Sequence, residues 1–190
     1  MKLILASQSP RRRELMQLFS CPFTVEVADI DETMDPRKNP YEEVARVSRL
    51  KAGAIAREED DVVVAADTIV VLGSRVLGKP KDEADAESML TALSGRDHQV
   101  MTGLTVLRGN KAVTVTEVTD IHFRPLSPEE IRAYVQSGEP MDKAGAYGIQ
   151  GGAALFAEKM VGDYYNVMGL PVCTLWKILR DLAPELLQGV

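Results

Sequence analysis

The chain has 190 residues, 45% of them hydrophobic and 26% charged, with a net charge of −6. This length and composition suit an ordered globular domain with a substantial core and exclude a low-complexity or disordered chain. The acidic balance argues against a general nucleic-acid binder, while a small anion could still be held by local positive charge.

No segment approaches the ~20 apolar residues that span a bilayer, so no membrane association is expected. The short apolar run at the N-terminus, followed by arginines, does not fit a signal peptide. Cys21 and Cys173 stand alone, with no CxxC or Cys/His cluster nearby. They are expected to be packing residues in a reducing cytosol, not metal ligands or a disulfide.

Leu3-Ile4-Leu5-Ala6 reads as a short buried strand. Ser9 can cap the helix that follows, with Pro10 at its first position. That helix opens on Arg11, Arg12 and Arg13, although helix N-termini favour acidic residues. A bound polyanion, shared between free backbone N–H groups and guanidinium forks, would resolve the conflict. A solvated basic turn is the alternative. Residues 23–28 alternate as a strand, and Asp29-Ile30-Asp31-Glu32 is an acidic loop.

Asn39-Pro40-Tyr41-Glu42 starts a helix expected to run to about Arg57, packing Val44, Val47, Ala54 and Ile55. Lys51 lies one turn from Val47, near the edge of the apolar face, and reads by default as a surface lysine. Residues 62–66 form a central strand covered on both faces, ending at Asp67. Residues 69–72 and Val76-Leu77 make a hairpin around Gly73-Ser74. Lys79, before the stiff Pro80, follows on the return side. Asp82 caps a helix that ends near Ser94-Gly95.

A long hairpin pairs residues 100–107 with 112–123 around Gly109-Asn110. Ser127-Pro128-Glu129-Glu130 is a capping box whose helix stops at Gly138. A glycine-rich loop spans 138–152, residues 153–160 should be extended, and 162–171 irregular. The last helix starts at Pro171 and carries Leu175, Ile178, Leu179 and Leu182. With no repeat or linker, the order predicts a single α/β domain over residues 1–190, with a mixed central sheet flanked by helices.

Asp67, after a buried strand, suits a general base or a metal ligand, with a turn-capping Asp as the alternative. Glu32 offers a second carboxylate unless its loop is merely solvated. Lys79 is placed for a phosphate. Lys143 and Gln150 lie in the glycine-rich loop, where small residues allow close backbone approach and Gln150 offers a donor beside an acceptor. Walker A, GxSxG and HExxH motifs are absent. His98 and His122, in strand-like segments, read as structural.

Ser7-x-Ser9-Pro10-Arg11-Arg12, Ala66-Asp67-Thr68-x-Val70, Gly78-Lys79-Pro80 and Leu93-Ser94-Gly95-Arg96 are followed by Glu139-Pro140-x-Asp142-Lys143-Ala144-Gly145-Ala146-Tyr147-Gly148-Ile149-Gln150-Gly151 and Tyr165-Asn166-Val167-x-Gly169-Leu170-Pro171. Together these motifs resemble the Maf nucleotide pyrophosphatases. They run in order over nearly the whole chain, and the Asp142–Gln150 segment is similar to the branch acting on dTTP and UTP. The third arginine, Arg13, is not part of the pattern.

The resemblance implies hydrolysis of dTTP and UTP, with modified pyrimidine triphosphates as further candidates, to the monophosphate and pyrophosphate. It also implies a divalent cation (Mg²⁺ or Mn²⁺), a cytoplasmic homodimer, a link to septum formation, and a mixed, bent sheet similar to the inosine-triphosphate pyrophosphatase fold. Asp67 matches the proton acceptor, and Arg11, Thr68 and Gln150 match positions that set base specificity. Ser7, Arg12, Glu32, Lys51, Lys79, Asp142 and Lys143 match other active-site positions. Asp67, Lys79 and Glu32 are the expected catalytic set, with Glu32 and Asp67 as the expected metal ligands and the remainder binding substrate. A nucleotide-sensing regulator of septum formation without turnover is the alternative, and the same chemistry on methylated guanine nucleotides a weaker one.

Overall fold

Four consecutive apolar residues bury both faces of a strand, and Leu3–Ala6 (β1) are all buried. The structure, a computed structural model, describes residues 1–187 except 28 and 56. Strand β1 pairs in parallel with Thr24–Glu26 (β2) on one side and with Val62–Leu72 (β3) on the other. The predicted end of β2 at Ala28 lies outside the described residues.

The helix between β1 and β2, Pro10–Met16 (α1), is capped by the Ser9 hydroxyl with Pro10 at its first position. Pro40–Gly53 (α2) is capped by Asn39. It ends earlier than expected: Ala54 is its C-cap and exposed, and Ala52 takes the packing role given to it. The predicted extension to Arg57 crosses Ala56, which is outside the described residues.

The largest departure from expectation is in β3. It is one strand of 11 residues, and Asp67 lies at its middle, not at its end. All positions are buried except Asp67 and Thr68, which are partly open. Ala66 and Asp67 keep extended backbone because pairing continues: Val70 opposes Leu77 in Arg75–Leu77 (β4), as the hairpin predicted.

Glu83–Leu93 (α3) follows, capped by Asp82. Asp97–Arg108 (β5) and Lys111–Phe123 (β6) are joined by two residues, Gly109 at φ 54° and Asn110. Pro128–Gln136 (α4) has the full capping box. The stretch 153–160, expected to be extended, is a 3₁₀ turn at Gly152–Leu155 before the strand Ala157–Val161 (β7). The segment expected to be irregular contains a short helix, Tyr164–Met168 (α5), and Val172–Leu182 (α6) closes the fold. The mixed sheet runs β2-β1-β3-β5-β6-β7, with β4 on β3.

Contacts group the chain into two compact units. The first is Met1–Asp67, Thr102–Glu117 and Gly169–Val190; the second is Thr68–Met101 and Val118–Met168. In the first, Ile4, Ala6, Ala52, Ile55, Val63 and Ala65 form a core cluster. Helix α2 comes unusually close to β5 there: a Cβ on Gly103 would lie 2.4 Å from the Val44 carbonyl oxygen. Glycine is what permits this approach.

The core of the second unit gathers Leu77, Leu90, Leu93, Phe123, Tyr134, Tyr147 and Phe156. Phe123 stacks edge-on with His98 and Tyr147 at 4.8 Å each, arrangements that add about 0.5–1.5 kcal/mol per pair beyond burial. Cys21 is half-buried and Cys173 exposed, so Cys173 is not the packing residue its apolar neighbours suggested: it falls on the outer face of α6. No described helix is long and apolar enough to cross a membrane.

Candidate active site

Val44, Val47, Ser48, Lys51 and Ala52 recur at helical spacing on the buried face of α2. The default reading of Lys51 as a surface residue therefore fails. It lies two turns beyond the Gly103 contact and is 9% exposed as a residue, so its ammonium needs a compensating charge. It finds two: Asp67 Oδ1 at 2.7 Å and Glu32 Oε2 at 2.8 Å. The Asp67 carboxylate is 13% exposed and that of Glu32 55%. One lysine thus draws two carboxylates together, from mid-strand β3 and from the acidic loop.

That loop is more ordered than a solvated stretch. The buried Glu43 of α2 binds Arg46 through both oxygens, and Arg46 Nη2 donates to the Thr33 carbonyl at 2.8 Å. Glu43 also accepts the Asp35 N–H at 3.0 Å. The Arg46 guanidinium, then the Asp35 N–H, hold the Glu43 carboxyl down at about 2. Glu43 and Arg46, three apart on a helix, were not singled out as site residues, though their spacing carried the signal.

Arg12 sits in the first turn of α1. Its Nε donates to the Gly169 carbonyl at 2.7 Å and its Nη1 to Ser7 Oγ at 3.3 Å. Ser7 Oγ also receives the Ser9 N–H, which fixes the turn from β1 into α1. Burial holds the Arg12 guanidinium below its ordinary value. The Asp67 charge opposes this, Arg11 adds to it, and Glu32 opposes it again. Ser7, Arg11, Arg12, Glu32, Lys51 and Asp67 therefore form one electrostatically coupled group within the first unit.

The other expected residues belong to the second unit. Thr68 follows Asp67 on β3, and Lys79 is exposed beside the buried Pro80. Lys143 bonds Asp142 Oδ1 at 2.6 Å and the Glu139 carbonyl. Gln150 is exposed. The loop that carries them is built from two further 3₁₀ turns, Glu139–Asp142 and Ala144–Ala146. Gly145, at φ 67°, donates its N–H to the Gly78 carbonyl at 3.0 Å, next to Lys79. A Cβ there would lie 2.8 Å from Val70 Cγ2. Tyr147 is buried with its hydroxyl 2.9 Å from His98 Nε2. His98 is structural, as expected. Its pKa falls to about 4, chiefly through burial. Glu139, part of the motif but given no role from sequence, ties the loop together.

Among the described residues, no group of three or more His, Cys, Asp or Glu side chains could hold a metal. Glu32 and Asp67 nevertheless both reach one point, now taken by the Lys51 ammonium. Two carboxylate donors fit a hard divalent cation that draws its remaining ligands from water and phosphate.

A mixed sheet in this strand order, flanked by helices, is a fold found in other solved proteins. The chain resembles the structure of the Staphylococcus aureus Ham1 protein with a TM-score of 0.50, at 13% identity, covering 95% of this chain and 99% of that one. This bears out the expected likeness to the inosine-triphosphate pyrophosphatase fold. The pattern of the family described as Maf-like protein matches residues 2–182, and the chain belongs to that family. It is 52% identical over 189 residues to the dTTP/UTP pyrophosphatase of Symbiobacterium thermophilum, covering 99% of this chain and 97% of that relative. To the dTTP/UTP pyrophosphatase of Alkaliphilus metalliredigens it is 47% identical over 183 residues, covering 94% and 95%.

Proposed function

We propose that this protein hydrolyses dTTP and UTP, with water attacking the α-phosphorus and pyrophosphate leaving. The supporting observation is the pairing of Asp67 and Glu32 on Lys51, with Arg12 electrostatically coupled to both carboxylates. Attack on a phosphoryl centre demands neutralised charge, fixed positions and an activated water, with little covalent work by the protein. Asp67 supplies a carboxylate oxygen to take the proton of the attacking water. Its position inside a paired strand fixes it more firmly than a strand end would.

Arg12 is held on the Gly169 carbonyl and Ser7 hydroxyl, and it stays protonated despite burial because guanidinium does not lose its proton in proteins. It and Lys51 balance phosphate charge. Glu32 and Asp67 would hold Mg²⁺ or Mn²⁺, which when bound neutralises phosphate and lowers the pKa of water. In the second unit, Lys79 serves phosphate, and Gln150 reads the carbonyl and N3–H edge of uracil or thymine. Arg11 and Thr68 join it in base choice, and Asp142 and Lys143 support its loop.

The proposal includes the cytoplasmic homodimer that the family resemblance implies, checked by sedimentation of the purified protein. The deciding experiment measures pyrophosphate release from dTTP, UTP, CTP, GTP and ATP with Mg²⁺ and with Mn²⁺. Many turnovers on dTTP and UTP are expected, and Gln150→Ala should reorder the ranking. Preference for a purine nucleotide, or release limited to one equivalent as in a regulator without turnover, would sink this reading.

A further inference from the structure

The Glu139 carboxylate bridges the two ends of the glycine-rich loop. Oε1 accepts the Tyr134 hydroxyl at 3.0 Å, and Oε2 accepts the Gly152 N–H at 3.0 Å. The Tyr134 hydroxyl in turn accepts the Gly148 N–H at 3.0 Å. The main-chain oxygen of Glu139 takes the Lys143 ammonium. A single acidic residue thus reaches backbone or side chain at 143, 148 and 152, with Gln150 between the last two.

The glycines record the same contact. A Cβ on Gly151 would lie 2.0 Å from Glu139 Oε1, and one on Gly148 would lie 3.2 Å from that atom and 2.7 Å from Lys143 Cε. No side chain fits at 151 while Glu139 keeps its place, and at 148 the Lys143 side chain would have to shift. Ala146, at φ 59° in the region L side chains avoid, shows that the loop is held against its local preference. Loops with few apolar anchors are otherwise the first parts of a fold to open.

We propose that Glu139 is a positioning residue for substrate selection: it clamps the loop backbone, with Tyr134 as relay, so that Gln150 presents its amide in one orientation. The inference rests on the dTTP/UTP reading above. It names a residue that acts through Gln150 and Lys143. The requirement is for geometry, since each carboxylate oxygen of Glu139 serves as an acceptor for a neutral donor. Glutamine keeps an oxygen for the Gly152 N–H and turns its NH₂ toward the Tyr134 oxygen, so it should restore most of what alanine removes.

The test compares kcat and KM for dTTP and CTP in the parent and in Glu139→Ala, Glu139→Gln and Tyr134→Phe. Glu129→Ala, an exposed acid of α4, is the control. Glu139→Ala should lower kcat/KM for dTTP roughly tenfold to a hundredfold, mainly through KM, and compress the dTTP-to-CTP ratio. Glu139→Gln should recover to within a few-fold, and Tyr134→Phe should shift the ratio the same way by about threefold to tenfold. Amide exchange at Gly148 and Gly152 should quicken in Glu139→Ala. If Glu139→Ala fails to fold, the Tyr134→Phe ratio decides. An unchanged dTTP-to-CTP ratio in the folded variants, with only kcat or Tm altered, overturns the proposal. A parent without turnover on dTTP or UTP fails the functional reading instead, and the amide exchange then still reports on the clamp.

Discussion

The polar cluster of the first unit and the glycine-rich loop of the second position their side chains by opposite means. Ser7, Lys51 and Asp67 project from or beside regular elements, and full charges hold them: one ammonium against two carboxylates, one guanidinium against a carbonyl and a hydroxyl. The loop has almost no repeating structure. Apart from the short-range Lys143–Asp142 ion pair, its fixed points are hydrogen bonds of neutral donors to Glu139 and Tyr134, the Gly145 N–H on the Gly78 carbonyl, and Tyr147 buried in aromatic rings. The contrast teaches where each region is vulnerable. Charge-held side chains on rigid elements should lose chemistry without losing the fold, whereas a bond-held loop should lose shape first.

The sharpest break of this comparison is Asp67→Asn. It should lower kcat for dTTP by about 10²–10⁴-fold while Tm stays near the parent's. Turnover within a few-fold of the parent would remove Asp67 from the chemistry. Lys51→Met comes next. It leaves Glu32 and Asp67 without their shared cation, and kcat/KM should fall roughly tenfold to a hundredfold. Steady-state kinetics within twofold of the parent would show that the ion pair has no part in turnover.

In the loop the order of damage should reverse. Gly145→Ala forces a side chain into positive φ and against Val70, at a cost of about 1–3 kcal/mol in denaturant unfolding, with weakened KM and a smaller effect on kcat. Unaltered stability would mean that the backbone adapts freely.

The smallest effect concerns His98. Its folded pKa of about 4 lies below the ordinary 6.5, mainly through burial; the Arg96 carbonyl and Asp97 raise it, and His122 lowers it. Between those values the unfolded chain binds more protons. The neutral ring therefore contributes stability that is fully present above about pH 6.5 and lost as pH falls toward 4, at most roughly 3 kcal/mol. Denaturation of the parent and His98→Gln at pH 4 to 7 should show the parent's steeper slope. Parallel slopes would assign the acid sensitivity to other groups.

The same contrast explains what could be read from the sequence. Helix caps at Ser9, Asn39, Asp82 and Ser127 were legible because a cap is a local contract between a side chain and a backbone two or three residues away. The pairing of Lys51 with Asp67 was not, although both residues stood out: helical spacing placed Lys51 at the edge of the apolar face, and only the tertiary fold brings it to β3. Asp67 was misplaced at a strand end because charge interrupts an apolar run, and pairing with β4 overrides that local signal. The role of Glu139 was invisible for a related reason. Glu139 meets Tyr134 and Gly152, and Gly148 only through Tyr134, across irregular backbone that has no period to detect.

Gly103 gives the cluster a hidden dependency. An ordinary Cβ contact needs at least about 3.4 Å, and a methyl group there would begin 2.4 Å from the Val44 carbonyl, so α2 would have to retreat by about an ångström. Lys51 rides on that helix, and its bonds to Glu32 and Asp67 at 2.8 and 2.7 Å have little slack. Misplacement by about 1 Å can cost roughly a hundredfold in rate. In mutational terms, position 103 is a blind spot: the mildest possible exchange, made at a buried residue without functional groups, would register as an enzymatic lesion. A scan of this chain for tolerated variation would then mark as catalytic a residue that has no side chain at all.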